Sequence, residues 1–499
     1  MKHFSAAIQT VGELKPFLEN KKIRTAEGSA KSILAQIFVS RFDDNDIHQV
    51  VELLNAFSEK VIVAGVSSGG EIFSGRALAY QTVVSMSFFE SARLVPIMLK
   101  VPQGTEQKAG SILVEKLSSM TDQVKGLLLL TASVSINNGL LLQTIFKSIP
   151  GLPLFGGVAG DYLEFKRTLI FSNKGIFNEG ALAIAMTGKE LHLSRHIYCG
   201  WQPIGKKMTA TKTDGLVLQE IDGRPAFDVY RKYFNINLDS NFQVDAIEFP
   251  LLLNRNGRLL ARNPFAANTD GSIQFSADIQ EGETLQFGYG NIDQIIDNSY
   301  RMVEKISSFA PQAIFIYSCA MRRFFMQQDV DREMAPLNEI APTTGFFTYG
   351  EFCDLGNQSP HMNSTIVVVG IREGKADSAH MVSKAVRKES VPEDPYFNRP
   401  TSILSRLYYF SNAITEELKN TNAELQNKLK EIQTLRGILP ICSSCKKIRD
   451  DKGYWNLLET YFKKQSDIDF SHGICPECSD KLYGEEDWYV KMKKDSENK

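Results

Sequence analysis

Four cysteines near the end of the 499-residue chain have the spacing of a metal site: Cys442-Ser443-Ser444-Cys445 is followed, after twenty-nine residues, by Cys475-Pro476-Glu477-Cys478. A two-residue gap lets both sulfurs of a pair turn toward one centre. Four thiolates at about 2.3 Å satisfy zinc and leave no open position, so the expected chemistry is structural Zn2+ binding by Cys442, Cys445, Cys475 and Cys478. His472 stands close enough to Cys475 to be an alternative ligand. A pair of thiol/disulfide motifs is the competing reading, which a reducing cytoplasm disfavours. The other cysteines, Cys199, Cys319 and Cys353, are scattered and suggest no disulfide framework.

Glycine turns that end in carboxylates offer a second kind of chemistry. The apolar run 126–131 leads through a helical stretch to Gly156-Gly157-Val158-Ala159-Gly160-Asp161 and then to the run 181–186. The run 313–317 leads likewise to Gly345-Phe346-Phe347-Thr348-Tyr349-Gly350-Glu351 and then to 365–369. Glycines there permit positive φ or close backbone approach, and a duplicated unit is expected. Gly65-Val66-Ser67-Ser68-Gly69 matches the G-x-S-x-G nucleophile elbow, in which Ser67 would be the nucleophile of a serine hydrolase. That elbow needs a helix directly after the turn, whereas Glu71-Ile72-Phe73-Ser74-Gly75 runs on toward strand-like Thr82-Val83-Val84. Hydrolysis is therefore the lesser alternative, and a non-enzymatic protein is expected. The glycine turns fit neither GxGxxG nor a Walker loop.

These residues need a substantial scaffold. The chain exceeds the roughly 250–300 residues at which one core stops growing, so several domains are expected. Continuous apolar runs at 61–64, 127–131, 181–186, 313–317 and 365–369 read as strands buried on both faces. Helical spacing at 46–57 and 294–309, with a hairpin signal at Asn254-Arg255-Asn256-Gly257, makes the class α/β, mixed α+β with mixed sheets. Three prolines between Val391 and Pro400 mark a linker. Beyond it Leu404, Leu418, Leu425, Ile432 and Leu439 occupy one heptad position and Leu407, Ile414 and Leu435 the other, interrupted by Ser411, Thr421 and Lys428. A dimeric coiled coil of roughly 50 Å is expected, with a single exposed or docked amphipathic helix as the alternative. A net charge of -2 supplies no global field for nucleic acid or membrane, and from Pro440 onward eleven Lys and Arg face twelve Asp and Glu. No secretory signal and no membrane span are read, so a cytoplasmic location is expected.

Two family resemblances follow. Leu439-Pro440-Ile441-Cys442 through Trp455, with Phe470-Ser471-His472-Gly473-Ile474-Cys475, resembles a short tail appended to bacterial response regulators and sensor kinases, which implies two-component signalling company. The body, over roughly 29–372, resembles the FIST sensory domains of bacterial signal-transduction proteins. The motifs are Ala64-Gly65-Val66-Ser67-Ser68-Gly69-Gly70-Glu71, Gly151 to Asp161, Gly200-Trp201-Gln202-Pro203, Glu220-Ile221-Asp222-Gly223-Arg224-Pro225, Ser318-Cys319-Ala320-Met321-Arg322 and Gly345 to Glu351 with His361-Met362-Asn363.

The resemblance implies two related sub-domains that bind a small ligand, amino acids being the suggested class. An amino acid needs carboxylates for its ammonium and N–H groups or Arg for its carboxylate. Glu71, Asp161 and Glu351 are the expected cation-facing groups, Arg322 the carboxylate partner, and Thr348, Tyr349, His361 and Asn363 the polar lining. Capping and local hydrogen bonding are the bland alternatives for such turn residues. The expected order is a FIST N-type domain (29–221), a FIST C-type domain (222–390), the linker (391–403), a coiled-coil helix (404–439), a zinc-ribbon-like tail (440–485) and a charged, disordered end (486–499). Output would pass to a kinase or response-regulator partner, with nucleic-acid binding by the tail as the alternative.

Overall fold

The runs read as buried strands are strands, and in Ser32–Val39, Thr82–Phe89 and Gly180–Thr187 every residue is buried. The computed structural model describes residues 1–120, 122–132, 135–238, 242–255, 257–354, 361–376, 403–436, 439–450, 452–465 and 469–497. It forms two compact units, Met1–Ile414 and Thr415–Lys499. Asn256 of the expected hairpin and nearly all of the Pro-containing linker lie outside the described residues.

The expected duplication is a triplication. The first repeat contains β1 (Lys2–Ile8), β2 (Ser32–Val39), β3 (Val61–Ser67), β4 (Glu71–Phe73), β5 (Arg76–Leu78) and β6 (Thr82–Phe89). The second contains β7 (Arg93–Leu99), β8 (Val124–Ala132), β9 (Leu154–Val158), β10 (Ile170–Ser172), β11 (Gly175–Phe177) and β12 (Gly180–Thr187). The third begins with β13 (Leu191–Tyr198). An insert follows, comprising β14 (Trp201–Asp214), β15 (Val217–Ile221), β16 (Arg224–Pro225), β17 (Leu251–Arg255), β18 (Arg258–Arg262), β19 (Pro264–Ala267), β20 (Ile273–Phe275) and β21 (Thr284–Gly290). The repeat resumes with β22 (Ala313–Cys319), β23 (Thr343–Thr348), β24 (Glu351–Cys353), β25 (His361–Met362) and β26 (Ile366–Glu373).

Each repeat builds one pattern: a parallel pair joined through helix, β2–β3, β8–β9 or β22–β23, flanked by an antiparallel strand, β6, β12 or β26. The short hairpin after each parallel pair leaves its own repeat. β4–β5 extends the third sheet at β23, β10–β11 the first at β3, and β24–β25 the second at β9, so the sheets read β1-β6-β2-β3-β10-β11, β7-β12-β8-β9-β24-β25 and β13-β26-β22-β23-β4-β5. The insert forms its own antiparallel sheet.

Three glycine turns launch these hairpins, and their backbones bond one another: Gly160 N–H donates to Ser67 O at 3.0 Å, Gly69 N–H to Phe347 O at 2.8 Å and Val158 N–H to Gly350 O at 2.8 Å. Glycine is required where the turns touch. A Cβ on Gly160 would lie 2.6 Å from Gly69 N, and one on Gly70, at φ +128, would lie 1.6 Å from an Arg323 nitrogen.

The long helix Ile403–Arg436 confirms helical periodicity but corrects the expected coiled coil in its first turns. Leu407 and Ile414 pack into the body's core, and Phe410 stacks on Phe234 at 5.5 Å. Arg406 pairs with Asp245 at 2.6 Å and donates to Phe234 O. Leu404 (81%) in the first turn and, farther along, Leu418 (60%), Leu425 (55%) and Ile432 (47%) are exposed. In the second unit β27 (Ile448–Arg449) pairs with β28 (Trp455–Asn456), and helices follow at Leu458–Gln465 and Pro476–Tyr483. The end expected to be disordered forms a helix, Asp487–Glu497; Tyr489 within it is buried and donates to Asp480 at 2.9 Å, an apolar anchor that charge composition alone hides. No helix among the described residues is long and apolar enough to cross a membrane.

Candidate functional site

A small cleft, with about 40 Å³ open to the centre of a water-sized sphere, lies at the seam between the three-sheet body and the insert. The body supplies Ile136 and Asn138 at the start of the helix Asn138–Ser148, Val158 from β9, Cys319 and Met321, and Thr348 with Tyr349. Across from them the insert supplies Gln243 and Ile247, Asn263 to Phe265, and Gln274 to Ser276. Phe165 completes the wall from the loop after β9, stacked on Tyr349 at 4.6 Å and edge-on to Phe265 at 4.5 Å.

Of the residues expected from sequence, Thr348 and Tyr349 line this cavity, and the others do not. The turn carboxylates instead hold its surroundings in place. Glu351 is fully buried and accepts hydrogen bonds from Thr348 Oγ1 (2.5 Å), Thr365 Oγ1 (2.6 Å) and Thr365 N (3.2 Å). Burial pushes its carboxyl up to about 8 against these donors. Glu71 accepts from Ser68 Oγ and Tyr162 OH, and burial pushes it up to about 7 despite those bonds and the charge of Arg323. Asp161 accepts from the backbone N–H groups of Phe165 (2.9 Å), Lys166 (2.7 Å) and Arg167 (2.9 Å), and from Tyr349 OH. It thereby folds a loop in which Tyr162, Leu163 and Phe165 all have positive φ, at a cost of about 1–3 kcal/mol per residue.

Arg322, the expected carboxylate partner, is committed within the protein: its guanidinium meets Glu333 at 2.5 and 2.8 Å and donates to the carbonyls of Cys199 and Ser364. His361 is buried beside the ring of Phe352, and burial with the nearby Arg262 charge lowers it to about 3, so it is neutral. Asn363 donates to Tyr349 O at 3.3 Å, behind the cavity wall. Ser67 Oγ accepts from Leu169 N at 3.0 Å, and its turn leads into β4 rather than a helix, which removes the geometric basis of the nucleophile elbow.

Sequence reasoning missed the neutral amides. Asn138 and Gln243 line the cavity, and their Oδ1 and Nε2 atoms are buried with no hydrogen-bond partner among the described residues, each an omission costing about 1–3 kcal/mol. The only sequence signal was Asn137-Asn138 ahead of an apolar helix, where Asn137 caps the helix through Leu140 N at 3.1 Å.

In the second unit each CxxC pair has a thiol facing backbone N–H groups. Cys478 N–H points at Cys475 Sγ at 3.4 Å, and backbone N–H groups of Cys445 and Ser444 hold the Cys442 thiol below its ordinary value. That donor set suits a structural zinc. Among the described residues, however, no three Cys, His, Asp or Glu side chains come together as one metal-holding group.

Mixed parallel and antiparallel sheets, an inserted antiparallel sheet and a cavity at their seam make up an α/β body whose charged turn residues are spent on structure. Residues 33–224 match the FIST N domain and residues 226–354 the FIST C domain, together more than half of the chain, so the chain belongs to the FIST family of sensory signal-transduction proteins. Among its relatives, an uncharacterized protein of Mycobacterium tuberculosis is 23% identical over 239 residues, 45% of this chain and 62% of that protein. One of Mycobacterium bovis is 23% identical over 239 residues, 45% of this chain and 61% of its own. The chain thus spans about six tenths of the length of these curated relatives.

Proposed function

We propose that the chain is a signal-transduction sensor that takes a small ligand in the seam cavity and reports occupancy through the long helix to a kinase or response-regulator partner. One observation carries this reading. Gln243, in the short helix Phe242–Ala246, and Ile247 directly after it line the cavity, while Asp245 between them holds Arg406 at 2.6 Å. A ligand engaging Gln243 therefore acts on the turn that anchors the long helix, which gives it differential contacts with two states of that anchor. Leu418, Leu425 and Ile432, seven residues apart and exposed, support a second copy as the partner of this helix. The spacing of the two CxxC pairs supports a structural zinc, and the tail's near-balanced charge favours protein over nucleic acid as its contact.

The test is a thermal-shift screen of the full chain against amino acids and uncharged metabolites, since a ligand of the folded state raises Tm by mass action. Hits should also change hydrogen exchange in residues 415–432. Arg406→Ala should keep the Tm shift and lose that exchange response. A screen in which no compound class shifts Tm would remove the sensor reading, and an exchange response that survives in the variant would remove Asp245–Arg406 as its route.

A further inference from the structure

The ligand expected from family resemblance is an amino acid, yet the described lining of the cavity is uncharged, and the nearby Asp278 is already paired with Arg255 and Arg262. We infer that the molecule held there is uncharged, carries an aromatic or other flat face, and presents one hydrogen-bond donor and one acceptor. This inference rests on the sensor reading above.

Among the described residues, no Lys, Arg, His, Asp or Glu side chain lines the cavity. The charged groups around it are engaged: Arg322 with Glu333, Glu351 with two threonines, Asp161 with three backbone amides. A helix N-terminus could still serve a carboxylate. The helix Asn138–Ser148 does begin at the wall, but Asn137 already caps it, and Asp278 Oδ1 lies only 3.0 Å from where a Cβ on Gly139 would stand. The partial positive charge at that terminus therefore faces a carboxylate already, and a second one would be repelled. Burying an unpaired ammonium or carboxylate costs far more than burying a hydrogen-bonded amide or carbonyl.

What the wall lacks defines the ligand's polar edge. Asn138 Oδ1 requires a donor and Gln243 Nε2 an acceptor, and both are buried without a partner among the described residues. Phe165, Phe265, Phe275 and Tyr349 supply apolar ring surface for the remainder. A carboxamide, lactam or similar group on an aromatic skeleton meets all of these demands.

Three compounds on one skeleton separate charge from shape. N-acetyl-L-phenylalaninamide is neutral, L-phenylalaninamide is a cation and L-phenylalanine is a zwitterion. Titrated calorimetrically into the full chain at neutral pH, the neutral compound should bind at least tenfold more tightly than either charged one. Gln243→Ala and Asn138→Ala should each weaken it severalfold, with cooperative unfolding transitions showing that the variants are folded. Equal or tighter binding of a charged compound overturns the inference; if Gln243→Ala also weakens that compound, the cavity remains the sensor site. Binding by none of the three, or neutral binding insensitive to both variants, overturns it as well, and the metabolite screen then judges the sensor reading separately.

Discussion

The first and third repeats treat their glycine turns alike, and the second does not. In the first, Ser68 precedes Glu71 by three residues and donates to it, and the second carboxylate oxygen receives Tyr162 OH. In the third, Thr348 precedes Glu351 by three residues and donates to it, and the second oxygen receives the N–H and hydroxyl of Thr365. Tyr80 and Ser364, near the return of each hairpin, share a left-handed φ of +56. In the second repeat Val158 stands where the hydroxyl would be and the carboxylate is one methylene shorter. Asp161 gathers the amides of its own loop instead and delivers Phe165 to the cavity. The scaffold is threefold, and the departure from threefold lies where the cavity is.

The largest effect should come from breaking the shared device. Glu351→Ala leaves Thr348 Oγ1, Thr365 Oγ1 and Thr365 N without their acceptor in a fully buried place, so urea unfolding should show a loss of about 3 kcal/mol or more. A loss under 1 kcal/mol would mean that the turn does not depend on it.

A smaller effect lies in pH. Glu71 and Glu351 have folded-state values of about 7 and 8, raised by burial above the ordinary 4.5. Between those limits the folded chain holds protons that the unfolded chain has released, so the stability these groups contribute is complete in acid and is lost as pH rises toward 8. Glu351→Gln should flatten the decline of Tm between pH 5 and 8; parallel curves for variant and parent would count against a raised value at that site.

The smallest change in stability should come from the second repeat. The amides held by Asp161 belong to Phe165, Lys166 and Arg167, the last two exposed, so water can replace the carboxylate and Asp161→Ala should cost about 1 kcal/mol. Affinity for the cavity's ligand should nevertheless fall about tenfold, because Phe165 loses its fixed place. Stability lost without affinity would make the second turn one more structural cap.

Much of the scaffold was legible in sequence because strands buried on both faces are continuous apolar runs, as in Leu127 to Leu130. Two repeats were visible through their glycine-carboxylate turns. The first repeat was hidden behind Gly65 to Gly69, whose hydrolase-like spacing drew the eye to Ser67 rather than to Glu71. Hairpin exchange was invisible, since periodicity reports which face of a strand is buried and not which strand lies beside it. The site was misjudged for a physical reason. Charged turn residues look like ligand contacts, yet burial forces them to find partners inside the protein, as Arg322 does in Glu333, whereas Asn138 and Gln243 carry no charge to draw attention.

The exchanged hairpins bear on how this chain can be cut. Separating it between residues 224 and 226, where one matched domain stops and the next starts, would strip β4–β5 of their neighbour β23 and leave β9 without β24. Both fragments would then display open strand edges ready to recruit other chains. The two sequence domains thus share their sheets within one compact unit, and a truncation series should trade soluble protein for aggregate at the very boundary where a modular reading would place the cut.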